Sequence, residues 1–330
     1  MIVSLAWLGC LFLKPIVSLL LIILLNILSG CNTFIGSGDI QNVGMLLEGS
    51  IDESAWNEKG YEGLQQIEKE FNIDIFYKEN MNSKSEVATA VDEMVEKGVN
   101  LIFGHSSQYG ELFSEIAEYY PEVHFVYSNG GVYEKNVTSL NFNSHAMGFF
   151  GGMIAGEMTT TNKVGIIASF LWQPEIEGFY EGVKYQNPQA TVEINYIKSW
   201  DDTETAVEMY EKMNKEGVDI FYPAGDGYSE EIIRLAEQDG KFIIGYVDDQ
   251  LDLAPETVLT STVQSVDKLY VAAAEKYNKG KLEGDILEFD FQDEVISLGE
   301  FNQNVPEDFQ EYMYNLVDNY IETNLLPNEQ

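Results

Sequence analysis

From Asn42 the chain alternates short apolar runs with stretches whose apolar positions recur every three or four residues. NVGMLL (42–47), IDIFY (73–77), NLIFG (100–104) and VHFVY (123–127) are mainly apolar and of strand length. Such runs suit parallel strands covered by helices on both faces. Between them SAWNEKGYEGLQQIEKEF (54–71) predicts a helix with Ser54 as its N-cap. A second helix runs from Ser83 to Lys97 with Gly98 closing it, and a third lies near 109–120.

A second series follows VTSLNF (137–142). SHAMGFFGGMIAGEM (144–158) predicts a Gly-rich helix able to pack closely on a neighbour, and KVGIIASF (163–170) a strand. Next come a helix over 175–186 ended by Asn187-Pro188, a strand at 191–197 and a helix at 203–216. VDIFYP (218–223), a helix near 229–238 and KFIIGYV (241–247) complete the series. EKGVNLIFG (96–104) and KEGVDIFYPAG (215–225) repeat one phrase: helix end, capping Gly, buried strand, loop. The pattern predicts an α/β fold of two Rossmann-like lobes with parallel sheets. One lobe takes 42–142 plus about 251–285 and the other 143–250 plus about 286–330, with the chain crossing back near 250 and near 285. Ligands of open α/β sheets bind outside the carboxyl ends of the strands, so the cleft between the lobes is the expected site.

The first 41 residues change the picture. The apolar run from Ile16 to Leu28, with Lys14 before it, has the length of a signal-peptide core and is short for a membrane span. It ends at Leu28-Ser29-Gly30-Cys31, which resembles the bacterial lipobox. Residues 1–30 are therefore expected to leave as a signal peptide, with a lipid on Cys31 and 31–41 as a tether. The expected place is the extracytoplasmic face of the cell membrane, reached through that lipid alone. Cys10 is the one other cysteine, so the remaining chain has no disulfide pair and no thiol cluster for a metal.

A hydrophobic content of 45% with 12% aromatics marks a folded body. With Lys14 gone, 17 basic residues face 55 acidic ones, a net charge of −38, and Arg234 is the only arginine. Phosphate backbones require a basic footprint, so nucleic acid is not an expected partner. The three histidines are scattered, and no HExxH, CxxC or GxSxG pattern occurs, so no catalysis, metal or cofactor is expected.

Asp52-Glu53-Ser54-Ala55-Trp56-Asn57, with Gly60, Tyr61 and Gly63 beyond, resembles the basic membrane protein family, also called PnrA-like. The likeness continues through NVTSLNFNSHAMGFFGGMIA (136–155), KVGIIASFLWQPEIEGFYEGVKYQNP (163–188), IIGYVDDQ (243–250) and VLTSTVQSVDK (258–268). Within the family the wording is most similar to the Med branch of competence regulators. The resemblance implies a type I periplasmic-binding-protein-like fold and a small ligand, in several members a purine nucleoside. The implied partner is an ABC permease, or for the Med branch a signalling protein. Carried onto this chain, it places Asp52, Trp56 and Asn57 against a base, with Phe179 as the second ring. Trp56 and Phe179 also fit plain core packing on amphipathic helices. His105 and Asp226, each in a loop after a strand, are further candidates for the cleft lining. Where the family carries charged groups, this chain has Val247, Gln264 and Asn129; Asp248 or Asp249 could compensate from one position along, although one step along a strand turns a side chain to the other face. Charge-assisted bonds are roughly twice as strong as neutral ones, so these departures bear on the ligand.

Overall fold

The computed structural model describes residues Gly38–Gln330. The apolar run, the lipobox with Cys31 and most of the expected tether lie outside the described residues. Among the described residues no helix is long and apolar enough to cross a membrane.

The first half builds β1 (Asn42–Leu46), α1 (Ala55–Phe71), β2 (Ile75–Lys78), α2 (Lys84–Glu96), β3 (Val99–Gly104), α3 (Tyr109–Ile116), β4 (His124–Ser128) and β5 (Val137–Phe142). Ser54 caps α1 as the sequence predicts, its hydroxyl accepting the Asn57 N–H at 3.2 Å. Gly98 follows α2 at φ +79°, a left-handed turn that glycine adopts without a Cβ clash. The helix expected over 109–120 stops at Ile116 and tightens into a 3-10 turn over Ala117–Tyr119.

The second half builds α4 (Ser144–Met158), β6 (Lys163–Ala168), α5 (Pro174–Gln186), β7 (Thr191–Tyr196), α6 (Thr203–Lys215), β8 (Ile220–Ala224), α7 (Ser229–Asp239), β9 (Phe242–Val247) and β10 (Val258–Gln264). The chain closes with α8 (Val266–Asn278), β11 (Ile286–Phe289), β12 (Ile296–Leu298) and α9 (Glu307–Thr323).

Two six-stranded sheets result, in the orders β11-β5-β4-β3-β1-β2 and β12-β10-β9-β8-β6-β7. All neighbours are parallel except β12, which runs antiparallel to β10. This is the two-lobed, type I periplasmic-binding fold. The crossings fall later than expected. β10 pairs with β9, so the chain stays in the second lobe to Gln264 and not merely to about 250. β11 pairs with β5, so it leaves the first lobe after Phe289 and not near 285. Neither β10, buried almost throughout, nor the partly exposed edge strand β11 carries a sign in its own sequence of which sheet takes it.

In the second lobe α4 lies against α5 at backbone distance. A Cβ on Gly148 would stand 2.2 Å from the Glu175 carbonyl oxygen, and one on Gly152 2.1 Å from that of Phe179. The contact is reciprocal, since a Cβ on Gly182 would stand 1.9 Å from the Phe149 carbonyl oxygen. Both partners are main chain and neither can turn aside.

Gly152→Ala tests this approach through its sign. In an open helix the change would stabilise by about 1 kcal/mol through propensity. Here overpacking should outweigh that gain and lower the unfolding free energy by about 1–3 kcal/mol in a denaturant melt. A stabilised Gly152→Ala protein would rule the close contact out.

Candidate functional site

A cleft of about 940 Å³ opens between the two sheets, and its walls come mainly from the ends of strands. The first lobe contributes Glu48 after β1, Trp56 and Asn57 from α1, His105 to Ser107 after β3, Ser128 to Gly131 after β4, and Phe142. The second contributes Phe170 and Trp172 to Glu175 after β6, Lys198 to Asp201 after β7, Asp226 after β8, Tyr246 and Val247, and Gln264. These are the carboxyl ends of parallel strands, where the topology leaves loops free to differ.

Trp56 is fixed by His105. The rings stack with centroids 4.9 Å apart at 22°. His105 Nε2 lies 2.8 Å from the Trp56 carbonyl oxygen, which can only accept, so Nε2 carries the proton. Nδ1, 2.5 Å from the Tyr270 hydroxyl, therefore accepts from it. Tyr270 in turn accepts from Ser128 Oγ at 3.2 Å. Gly60 leaves room for the imidazole, since a Cβ there would meet the ring at 2.4 Å. Burial holds His105 neutral and pushes its pKa down to about 4.

Asp226 reaches across the cleft. Its carboxylate accepts the Trp56 N–H at 3.1 Å and a hydrogen bond from the Ser54 side chain. It thus caps the amino end of α1 from the opposite lobe, where a helix presents unpaired N–H groups and positive partial charge. Burial pushes its pKa up, and these donors pull it part of the way back. Glu175 is wholly buried in the floor, receiving Gln173 Nε2 at 2.9 Å and the Tyr246 hydroxyl at 3.0 Å, and burial raises its pKa.

Val247 stands at φ +68°, and the Asp248 N–H donates to the Tyr246 carbonyl at 2.9 Å across it. This is the positive-φ γ-turn, a rare and strained form, and harder still for a β-branched residue. It leaves Val247 in the cleft wall and Asp248 3.6 Å from Lys59 of the other lobe.

Of the nine residues expected at the ligand, Trp56, Asn57, His105, Asn129, Asp226 and Gln264 line the cleft and three do not. Asp52 is exposed on the 3-10 turn Ile51–Glu53 and does not line the cleft. Phe179 is fully buried and stacked on Tyr222 at 4.4 Å and 2°, so it serves the core. Asp249 turns behind the strand ends, where it accepts the Glu300 N–H at 2.8 Å. Besides Tyr246 in the floor, the second lobe brings the rings of Phe170, Trp172 and Trp200 to the cleft, with Phe170 and Trp172 stacked at 5.4 Å and 15°. Part of their signal lay in the sequence: Trp172 and Trp200 are apolar residues just past strands, with no helical period to place them in a core, whereas Phe170 was absorbed into the expected strand 163–170.

The histidine geometry makes a pH prediction. His105 and His124 are both pushed to about 4 by burial. The unfolded chain therefore binds protons between pH 6.5 and 4 that the folded one does not. Their contribution to stability is complete above about pH 6.5 and is lost as pH falls towards 4, on the order of 3 kcal/mol for each ring. Ring NMR at pH 5.5 should find both imidazoles neutral, where an unperturbed histidine is about nine-tenths protonated. A midpoint for His105 near 6.5 would contradict the buried relay.

Comparison with known proteins agrees with the two-lobed fold. The model of the family described as ABC transporter substrate-binding protein PnrA-like matches residues 40–330. The transcriptional activator protein med of Bacillus subtilis (strain 168) is 46% identical over 306 residues, 93% of this chain and 96% of its own. Basic membrane protein A2 of Borrelia garinii subsp. bavariensis is 24% identical over 92% of this chain and 95% of its own. Among solved structures, a transcriptional activator of the comK gene from Bacillus halodurans superposes with a TM-score of 0.82 at 46% identity, covering 86% of this chain and 99% of its own. An ABC transporter solute-binding protein of Conexibacter woesei gives 0.70 at 19% identity over 87% and 99%, a likeness of fold. The chain belongs to the PnrA-like family of ABC transporter substrate-binding proteins.

Proposed function

We propose that this chain is a lipid-anchored, extracytoplasmic receptor that closes its two lobes on a small ligand carrying a flat ring. The observation that carries the reading is the fixed indole of Trp56. One face is backed by His105 and its main chain is bonded to the opposite lobe, on a wall that shares the cleft with the Phe170–Trp172–Trp200 rings. A purine nucleoside fits such walls: the rings supply area, and Asn57, Ser128, Asn129 and Gln264 supply polar groups for its edges. The loaded receptor would present this ligand to an ABC permease.

A second reading is favoured by the 46% identity to proteins named transcriptional activators. The same closure would then be read by a signalling protein. Direct action on DNA conflicts with a net charge of −37 and a single arginine. In either reading the chain binds and does not catalyse.

Calorimetry of the body beginning near Gly38 against adenosine, guanosine, inosine and their bases tests the ligand. Trp56→Ala should weaken a binding nucleoside by about 1–3 kcal/mol, roughly 5- to 150-fold. Phe179→Ala should act on stability instead, with the several kcal/mol typical of a buried ring. Failure of the whole panel at millimolar concentration, or an unchanged affinity in Trp56→Ala, removes the nucleoside reading.

The anchor has its own test. Cys31→Ser removes the thiol that would carry the lipid, so the full chain should be released or remain as an uncleaved precursor. Normal processing and membrane retention of Cys31→Ser would refute lipidation.

A further inference from the structure

The charges of the cleft are unevenly accounted for. Four acids line it, Glu48, Glu175, Asp201 and Asp226, against one cation, Lys198, which is exposed. His105 is neutral, and the chain's single arginine is Arg234, paired with Glu231 on α7. All four acids have donors, and none has an ion pair among the described residues. Asp226 holds the amino end of α1 and Glu175 holds Gln173 and Tyr246. Asp201 accepts from the Ser199 hydroxyl and is exposed, so water serves the rest of its carboxylate. Glu48, after β1 at the first-lobe wall, is half-buried with the Ser106 side chain as its donor.

We infer that Glu48 is the charge-recognising group of the cleft and that the ligand is an organic cation, a flat ring bearing a protonated amine. The inference rests on the cleft being the site of a flat-ring ligand and, within that reading, puts a cationic ring in place of a nucleoside, which is uncharged at neutral pH. A ligand that fills the space between the lobes strips the remaining water from the Glu48 carboxylate. Desolvating a carboxylate is costly unless the incoming group is a cation or donates hydrogen bonds. Burial already pushes the Glu48 pKa up, which shows that the cost is partly incurred before anything binds. A phosphate or carboxylate would instead meet uncompensated negative charge and no guanidinium to clamp it. The rings add to the same preference, because the faces of Trp56, Trp172 and Trp200 attract cations as well as flat apolar plates.

Three probes that share one ring separate charge from shape: tryptamine (cation), tryptophol (neutral) and indole-3-acetate (anion). Calorimetry at pH 7 should rank them in that order, with the amine at least tenfold tighter than the alcohol. E48Q keeps the shape of the side chain and should bring the amine and the alcohol to within about twofold, at an unchanged melting temperature. Equal or tighter binding of the acid overturns the proposal, as does an amine-to-alcohol ratio unaffected by E48Q. Should none of the three bind, native mass spectrometry of the freshly purified protein decides. A co-purified cationic small molecule supports the proposal. A neutral or anionic one overturns it while the ligand-binding reading stands. No small molecule at all removes both.

Discussion

The backbone contact between α4 and α5 is the constraint from which the cleft follows. Helices separated by side chains run 8–10 Å apart, whereas glycine on both faces lets main chains touch. That contact sets where α5 begins, and α5 begins at the floor of the cleft. Gly148 lies under the carbonyl of Glu175, one residue past Pro174, so the carboxylate of Glu175 is carried into the interior by the packing of its own helix. A buried carboxylate is tolerable there because Gln173 and Tyr246 donate to it. A wider helix spacing would move Gln173 and Glu175 together and separate them from Tyr246 on β9. The shape of the site is thus fixed by residues that have no side chain and never meet a ligand.

The lobes are joined by a different kind of interaction. Asp226 completes the amino terminus of α1 in trans, and Lys59 meets Asp248 beyond the strained turn at Val247. The two contacts differ in weight. Lys59 and Asp248 are partly exposed, and such pairs contribute about 0–1 kcal/mol. A largely buried carboxylate on helix N–H groups is a charge-assisted bond in a water-poor place, and it is the stronger clasp. It also joins the ligand wall to the closure, since the N–H it accepts belongs to Trp56. Pulling the lobes apart removes the support of the ring that the ligand would stack upon.

Much of this architecture was legible in the sequence. The alternation of buried runs and amphipathic stretches located the strands, because strands covered on both faces must be apolar throughout. The Gly-rich segment 144–158 was legible as a close-packing helix for an equally direct reason. The crossings were not, because β10 and β11 are recruited by sheets whose edges their own residues do not encode. Phe179 shows the same limit in the site. Its position on α5 was right, but which side of a helix faces a cleft depends on the neighbouring helix, and the glycine contact turns Phe179 onto Tyr222 in the core. Asp52 failed in the opposite way: the carboxylate that meets the start of α1 comes from Asp226, 170 residues away from Trp56. Contacts between lobes leave no local trace.

What closure can signal, to a permease or to a regulator, is bounded by the same energies. A ligand shifts an open–closed equilibrium only by its differential affinity for the two states. Moving it from mostly open to mostly closed takes about 5.5 kcal/mol. The Lys59–Asp248 pair is too weak to hold the lobes together by itself, and the Asp226 clasp spends part of its gain on desolvating its own carboxylate. A ligand that touches both Trp56 and the second-lobe rings in the closed form alone contributes its stacking wholly to the difference between states. A ligand resting on one wall would bind equally well to the open form and shift nothing, however tight. The walls of this cleft therefore select for a molecule long or flat enough to reach both lobes, and that requirement applies whether the closed form delivers its cargo or reports it.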